Sequence, residues 1–372
     1  MKTANGHEII QLFESWSPKF FALDDDPIGL QIGQLNRQVK NVLVTLDVTL
    51  EVVQEAIDHN CQLILAHHPP IYRPLKNLRT DTPTGKIMEL CIKHDIAVYA
   101  AHTNLDVAPG GVNDLLAEAL ELQKISILDE TYAESLMKLA VFVPITHSEV
   151  LRKQLAFVGA GQIGNYDSCS FSSIGTGRFQ PLDGSKPVIG QLNKVEQVEE
   201  EKVEVVFASS KKSKILKAMY EHHPYEEVAF DLWPLESKTS QQGIGRIGLL
   251  HQPLSLDAFA EKVKEQLKVP FVRIVGDDTK SIRKVAVLGG DGNKYIQTAK
   301  RAGADVLVTG DLYFHVAQEA QTLGLSVIDP GHHVESIMKS GVSVKMNRLC
   351  EENKYDCRFI PSSISTEPFR VK

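Results

Sequence analysis

The chain has 372 residues, enough for two or three domains, and at 43% hydrophobic and 23% charged it is composed like a globular protein with a full core. Its net charge of -7, with a sequence pI near 6.0, leaves no electrostatic footprint for nucleic acid. No apolar run approaches the roughly 20 residues of a membrane span. The start, MKTANGHEII, has no signal-peptide core. The five cysteines (61, 91, 169, 350 and 357) are odd in number, scattered, and form no Cys-x-x-Cys pair. This favours a reducing cytoplasm and disfavours a thiolate zinc site.

In chain order, residues 7–17 place Ile9, Ile10, Phe13 and Trp16 on one helical face. A turn-rich loop, 24–33, precedes a strong strand at 39–48. Thr49 is placed to cap a helix over 50–60. A short aliphatic strand at 62–66 then delivers His67 and His68, and Pro69 and Pro70 end it. Residues 84–95 read as helix, 96–106 as a buried strand with a polar exit, and 111–122 as an amphipathic helix. Such alternation predicts a layered, mostly parallel α/β sheet.

The pattern changes near residue 125. From 138 to about 235 the order strand, helix, strands, helix, strand suggests a βαββαβ module. The polar stretch 236–245 reads as a boundary. Strand and helix then alternate again to a last strand at 355–361. One strand, 326–333, exits into His332 and His333, with Glu335 opening the next helix. The expected architecture is α/β: a layered α/β domain in two halves, 1–125 and 244–372, with an α+β domain inserted at 126–243.

Ligands of open α/β sheets lie beyond the carboxyl ends of the strands. Two strand-end His-His pairs, together with His102 and Asp106 past a third strand, therefore form a candidate metal site. Imidazole and carboxylate donors without thiolate suit Zn, Mn, Fe or Ni. A bridging carboxylate would hold two cations, as in two-metal hydrolases. The turn 289–292, at a helix start, could hold a phosphate, although a lone turn of this kind is a weak signal. His222 and His223 also precede a proline, but with no second ligand cluster in that module they read as structural or interfacial.

AHHP at 66–69, HTNLD at 102–106 and GHHVE at 331–335 resemble, in order, the motifs of the NGG-interacting-factor-three-like family, also called GTP cyclohydrolase 1 type 2 homologs. The stretches 28–33 (IGLQIG) and 309–315 (TGDLYFH) fit the same family. The resemblance covers about 1–125 and 245–372. It implies metal ligands at His67, His68, Asp106, His332 and Glu335, with Glu335 bridging two divalent ions, zinc first among them. In short family members the glutamate follows the ligand histidine by four positions. Here Glu335 is three after His332 and two after His333, so His333 stays an alternative ligand. His102, Asp311 and His315 become candidates for support of the ligands or for proton transfer. The insert, with HHPYEEV at 222–228, resembles the extra module of larger bacterial members, which is similar to ferredoxin-like PII and CutA folds. The resemblance implies a cytoplasmic metal-dependent hydrolase acting on GTP or a related nucleotide. The alternative is a metal-binding assembly or regulatory protein whose PII-like insert senses a ligand. Either would be a homohexamer built from trimers, with no membrane or nucleic-acid partner.

Overall fold

Local signals set the first elements. Asn5 and Glu8 form a reciprocal capping box at the helix Gly6–Trp16, whose Ile9, Ile10 and Phe13 are buried. The Thr49 hydroxyl accepts from the Val52 amide and starts the helix Leu50–Asp58. Thr82, followed by Pro83 at the first helical position, does the same for Pro83–Lys93. The computed structural model describes residues 2–372, the side chains of 238–240 apart. It divides into two units, Met1–Tyr132 with Gln242–Lys372, and Ala133–Gln241.

The first unit holds a five-stranded sheet in the order Arg358–Pro361, Asn41–Thr45, Leu63–Ala66, Ala97–Ala100, Gly29–Ile32. Its first four strands run parallel and the last is antiparallel. A second set comprises Ser326–Asp329, Val306–Gly310 and Ser281–Asp291, mutually parallel, with Arg273–Val275 and residues 246–255 antiparallel at the two sides. Alternation along each strand sorts side chains into layers. Val42 and Val44 join Val285, Val287, Val306 and Val308 in one core with the helices Val112–Ala119 and Met338–Glu352. Leu43 and Ile64 face the other way, onto helices 50–58 and 83–93. Ala286, Leu307 and Val327 likewise face a separate core that includes Ile296 and Ala320. Each large side chain removed from water contributes about 1.5–3 kcal/mol, and the core joining the two strand sets fixes the strand ends on which the site is built.

The second unit follows the order strand, helix Ile145–Phe157, strands Phe171–Phe179 and Glu196–Ala208, helix Lys212–His222, strand. Its first and last strands in chain order are parts of Gln123–Pro144 and Phe230–Ser255. Leu139, Val141 and Val143 pack with Val203, Val205 and Phe207 beneath both helices.

The boundary read at 236–245 contains the division between the units, after Gln241, but the chain crosses it as the continuous strand Phe230–Ser255, and the change expected near 125 falls inside Gln123–Pro144. The glycines serve close approach there, since a Cβ on Gly243 would lie 1.9 Å from the Asp129 carbonyl oxygen. Two local expectations are corrected. The strand before His102 ends at Ala100, and Asp106 rides on a short helix, Thr103–Val107. The helix expected to open at residue 334 starts instead as a 3-10 turn, His332–Ile337.

Candidate metal centre

Strand ends from both sets bring the histidines to one place. His67 and His68 follow Leu63–Ala66, His102 follows Ala97–Ala100, and His332 follows Ser326–Asp329. His67 is fully buried, and its Nδ1 lies 2.8 Å from the Ala101 carbonyl oxygen. A carbonyl only accepts, so Nδ1 carries the proton and Nε2 presents a lone pair. That Nε2 has no hydrogen-bond partner, and it faces Asp106 Oδ1 at 3.6 Å and Glu335 Oε1 at 3.8 Å. Asp106 Oδ1 is buried and equally unpartnered. Acceptors facing acceptors in a dry pocket repel unless a cation lies among them, so this donor set fits a metal ion.

The other three rings repeat the arrangement. Nδ1 of His68 bonds Asp47 at 2.7 Å, that of His102 bonds Asp26 at 2.8 Å, and that of His332 bonds Asp311 at 2.7 Å. Each pin orients the ring and raises the basicity of Nε2, as at metal-binding histidines generally. Nε2 of His68 and of His332 each lie 3.1 Å from Glu335 Oε2, and 3.3 Å from one another. Glu335, only 3% exposed, thus turns one oxygen to His67, which Asp106 also faces, and the other to His68 and His332. Three sets of donor atoms lie within 4.8 Å of one another: His67, Asp106 and Glu335; His68, His332 and Glu335; and His67, His68 and His102.

Charge follows from this crowding. Burial, reinforced by Glu335, pushes the Asp106 carboxyl up to about 6. Burial would do the same to Glu335, but the imidazoles of His332, His67 and His68 hold it well below the usual carboxylate range. Burial opposes charge on His68, yet Asp47 and Glu335 push it up to about 10. The Glu335 hydrogen bond pushes His332 up to about 9 against its burial.

All five residues proposed as ligands meet here, with His102 beside them. His332 places its Nε2 in the cluster. His333 lines the adjoining cavity, its Nε2 buried without a hydrogen-bond partner. Asp311 bonds the ring of His332 from a left-handed backbone, φ 52°. His315 sits in the helix Phe314–Thr322 and bonds Gln318; no hydrogen bond or ion pair among the described residues ties it to the cluster. In the turn at 289–292, a Cβ on Gly290 would stand 2.7 Å from Glu335 Oε1, so the glycine makes room for that carboxylate. His222 and His223 bond backbone carbonyls of Ala218 and Phe142, a structural role.

Sequence reasoning missed Asp26, Asp47 and Asn113. The Asn113 amide group donates to the Asp106 carbonyl and accepts from the Gly289 amide, which joins two arms of the site. Asp47 follows a strand end, as His67 does, and that position was the available signal. A cavity of about 810 Å³ opens beside His68 and His332, with Phe271, Arg273, Thr366 and Phe369 in its wall. Thr366, near the chain's end, also bonds Asp47.

Comparison with known proteins adds a family and a fold. Residues 4–368 match the family described as Duf34/NIF3 (NGG1p interacting factor 3). A Bacillus subtilis (strain 168) protein named "GTP cyclohydrolase 1 type 2 homolog" is 55% identical over 368 residues, 99% of each chain. One of the same name from Listeria innocua is 45% identical over all of both chains. Among solved structures, a Bacillus cereus protein related to NIF3 superposes with a TM-score of 0.93 at 53% identity, and Staphylococcus aureus protein SA1388 with 0.83 at 31%, each over 100% of both chains.

Proposed function

The chain belongs to the Duf34/NIF3 family, and from that premise we propose that it is a metal-dependent hydrolase with two divalent ions per chain. The observation that carries the reading is the split of Glu335. One oxygen faces His67, beside Asp106, and the other His68 and His332, as a bridging carboxylate requires. In this reading His67, Asp106 and Glu335 hold one ion, and His68, His332 and Glu335 hold the other. His102, whose ring is fixed by Asp26, stands beside His67 and His68. Divalent cations there, zinc or else Mn, Fe or Ni, supply Lewis acidity and water activation. The chain's own part is orientation: four pinned imidazoles, and a cavity on the substrate side with aromatic walls. Asp311, bonded to His332, is the proposed proton-transfer partner.

The substrate is proposed to be GTP or a related nucleotide, opened in a cyclohydrolase-type step. The support is the relatives' name and a cavity of about 810 Å³, within the range of small-molecule sites. We read residues 133–241 as a ferredoxin-like module. The neighbour order Phe230–Ser255, Gln123–Pro144, Glu196–Ala208, Phe171–Phe179 supports that reading. We read the assembly as a cytoplasmic homohexamer. No described helix is long and apolar enough to cross a membrane.

The test is a screen of metal-reconstituted protein against nucleotides and phosphoesters, with chelated protein as control. Elemental analysis should approach two equivalents per chain; a reproducible value of one after reconstitution would remove the dinuclear reading. Asp106→Asn should abolish turnover while the protein stays folded. A loss of fold and assembly instead would make the metal structural.

A further inference from the structure

A second cavity, of about 310 Å³, lies wholly within the unit 133–241 and takes no part in the metal chemistry. Its walls are apolar and aromatic: Phe142, Phe179, Val188, Ile189 and Tyr225. The Phe179 and Tyr225 rings are 5.8 Å apart. Four charged side chains line it. Arg178, Glu226 and Glu227 are exposed at the rim, and only Glu200 is half-buried.

Glu200 is held in an unusual way. Its carboxylate lies against Gly177, where a Cβ would come within 2.1 Å of Oε2, so a larger residue would push the carboxylate aside. Among the described residues Glu200 has no ion-pair partner. The Tyr225 hydroxyl is buried and turned toward Glu200, where it lowers the carboxyl against the rise caused by burial, and no other group bonds it. A half-buried carboxylate steadied by one hydroxyl still has acceptor capacity turned into an apolar slot, and a donor placed there would offset its desolvation. The charge balance selects what that is. Three carboxylates against one guanidinium disfavour phosphates and carboxylates and favour a cation or a strong donor. Aromatic walls and the small volume favour a single flat ring system.

We propose that the inserted unit carries its own binding site for a small planar molecule with a cationic or donor-rich nitrogen group, an amidinium or a protonated amino-heterocycle. The nitrogen group bonds Glu200 and the Tyr225 hydroxyl, and the ring lies against Phe179, Val188 and Ile189. This holds whether or not the metal centre is hydrolytic.

Benzamidine and benzoate, matched in shape and opposite in charge, are the probes, titrated calorimetrically into the full-length metal-loaded protein. Benzamidine should bind saturably, one per chain, at least about ten-fold tighter than benzoate. Glu200→Gln should lower its affinity about ten-fold and Tyr225→Phe a few-fold, with metal content unchanged. Hydrogen exchange on the wild type should slow in 177–189 and 225–229 when benzamidine is present, a readout that survives if a variant misfolds. Equal binding of the two probes, indifference to Glu200→Gln in a folded variant, protection elsewhere, or no saturable binding would each overturn the proposal.

Discussion

The chemistry of the centre is set by which nitrogen of each imidazole is occupied. With every Nδ1 pinned to an oxygen, only Nε2 is left for a cation or a proton, and the two compete. Without metal, His68 and His332, pushed up to about 10 and about 9, hold their protons at pH 7. A metal must displace them, so apparent affinity rises with pH up to about 10, by up to about a hundredfold per unit below about 9, where two protons leave together. Below about 6, Asp106 also takes up a proton and affinity falls further. Titrations in buffers of different ionisation enthalpy should show this proton release; an affinity that stays flat from pH 6 to 8 would contradict it. Glu335→Gln keeps the shape and removes the shared charge. Both ions should weaken together, by about ten-fold or more, as read by metal titration; loss of one ion alone would make the residue terminal rather than bridging. The histidine pairs and Glu335 were legible because paired imidazoles at strand ends are rare. Their pins were not: Asp26 lies 76 residues from His102, Asp47 lies 21 from His68, and the pin of His67 is a carbonyl with no side-chain signature.

Strands and turns decide whether those donors can converge. The alternation of strand and helix was readable because each strand is a short aliphatic run bounded by polar turns. The continuity of the long strands Gln123–Pro144 and Phe230–Ser255 across the unit boundary was not, since polar stretches and glycines read as a break while the glycines admit a neighbouring backbone. Gly290 is another case of position outweighing composition. At φ +62°, with a Cβ site 2.7 Å from Glu335 Oε1, it must stay bare for the carboxylate to sit where it does. Gly290→Ala should pay twice, about 1 kcal/mol for the left-handed backbone and a displaced Glu335. Gly110, at φ +75° with nothing within 4 Å of its Cβ site, separates the effects. Gly110→Ala should lower the melting temperature by the backbone cost alone and leave metal uptake intact. Gly290→Ala should also lose metal affinity by about ten-fold or more. Equal metal affinity in the two variants would mean that the turn does not govern Glu335.

The surface of the inserted unit bears on how whole chains associate. Phe171–Phe179 is the terminal strand of its sheet, so one row of its backbone groups lacks a neighbour in that sheet. Such edges are ordinarily blunted by proline, charge or a covering element. This one instead presents Phe171 at 67% and Ile174 at 74% exposure, and Phe157 and Tyr166 of the same unit are exposed at 87% and 76%. Apolar side chains beside an open edge suit burial against another copy, and closed symmetric rings are the usual outcome for identical chains. The motif resemblance suggested a hexamer, but composition could not locate a contact, because an exposed Ile and a core Ile read alike in sequence. If this edge is a contact, Ile174→Lys with Phe171→Lys should break it without disturbing the core, since both side chains lie outside it. Light scattering on the wild type should report about six times 41.2 kDa. The double variant should fall to a smaller species with unchanged metal per chain, since every proposed ligand lies in the other unit. A variant of unaltered mass would move the contact elsewhere, and a wild-type monomer at micromolar concentration would end the hexamer altogether.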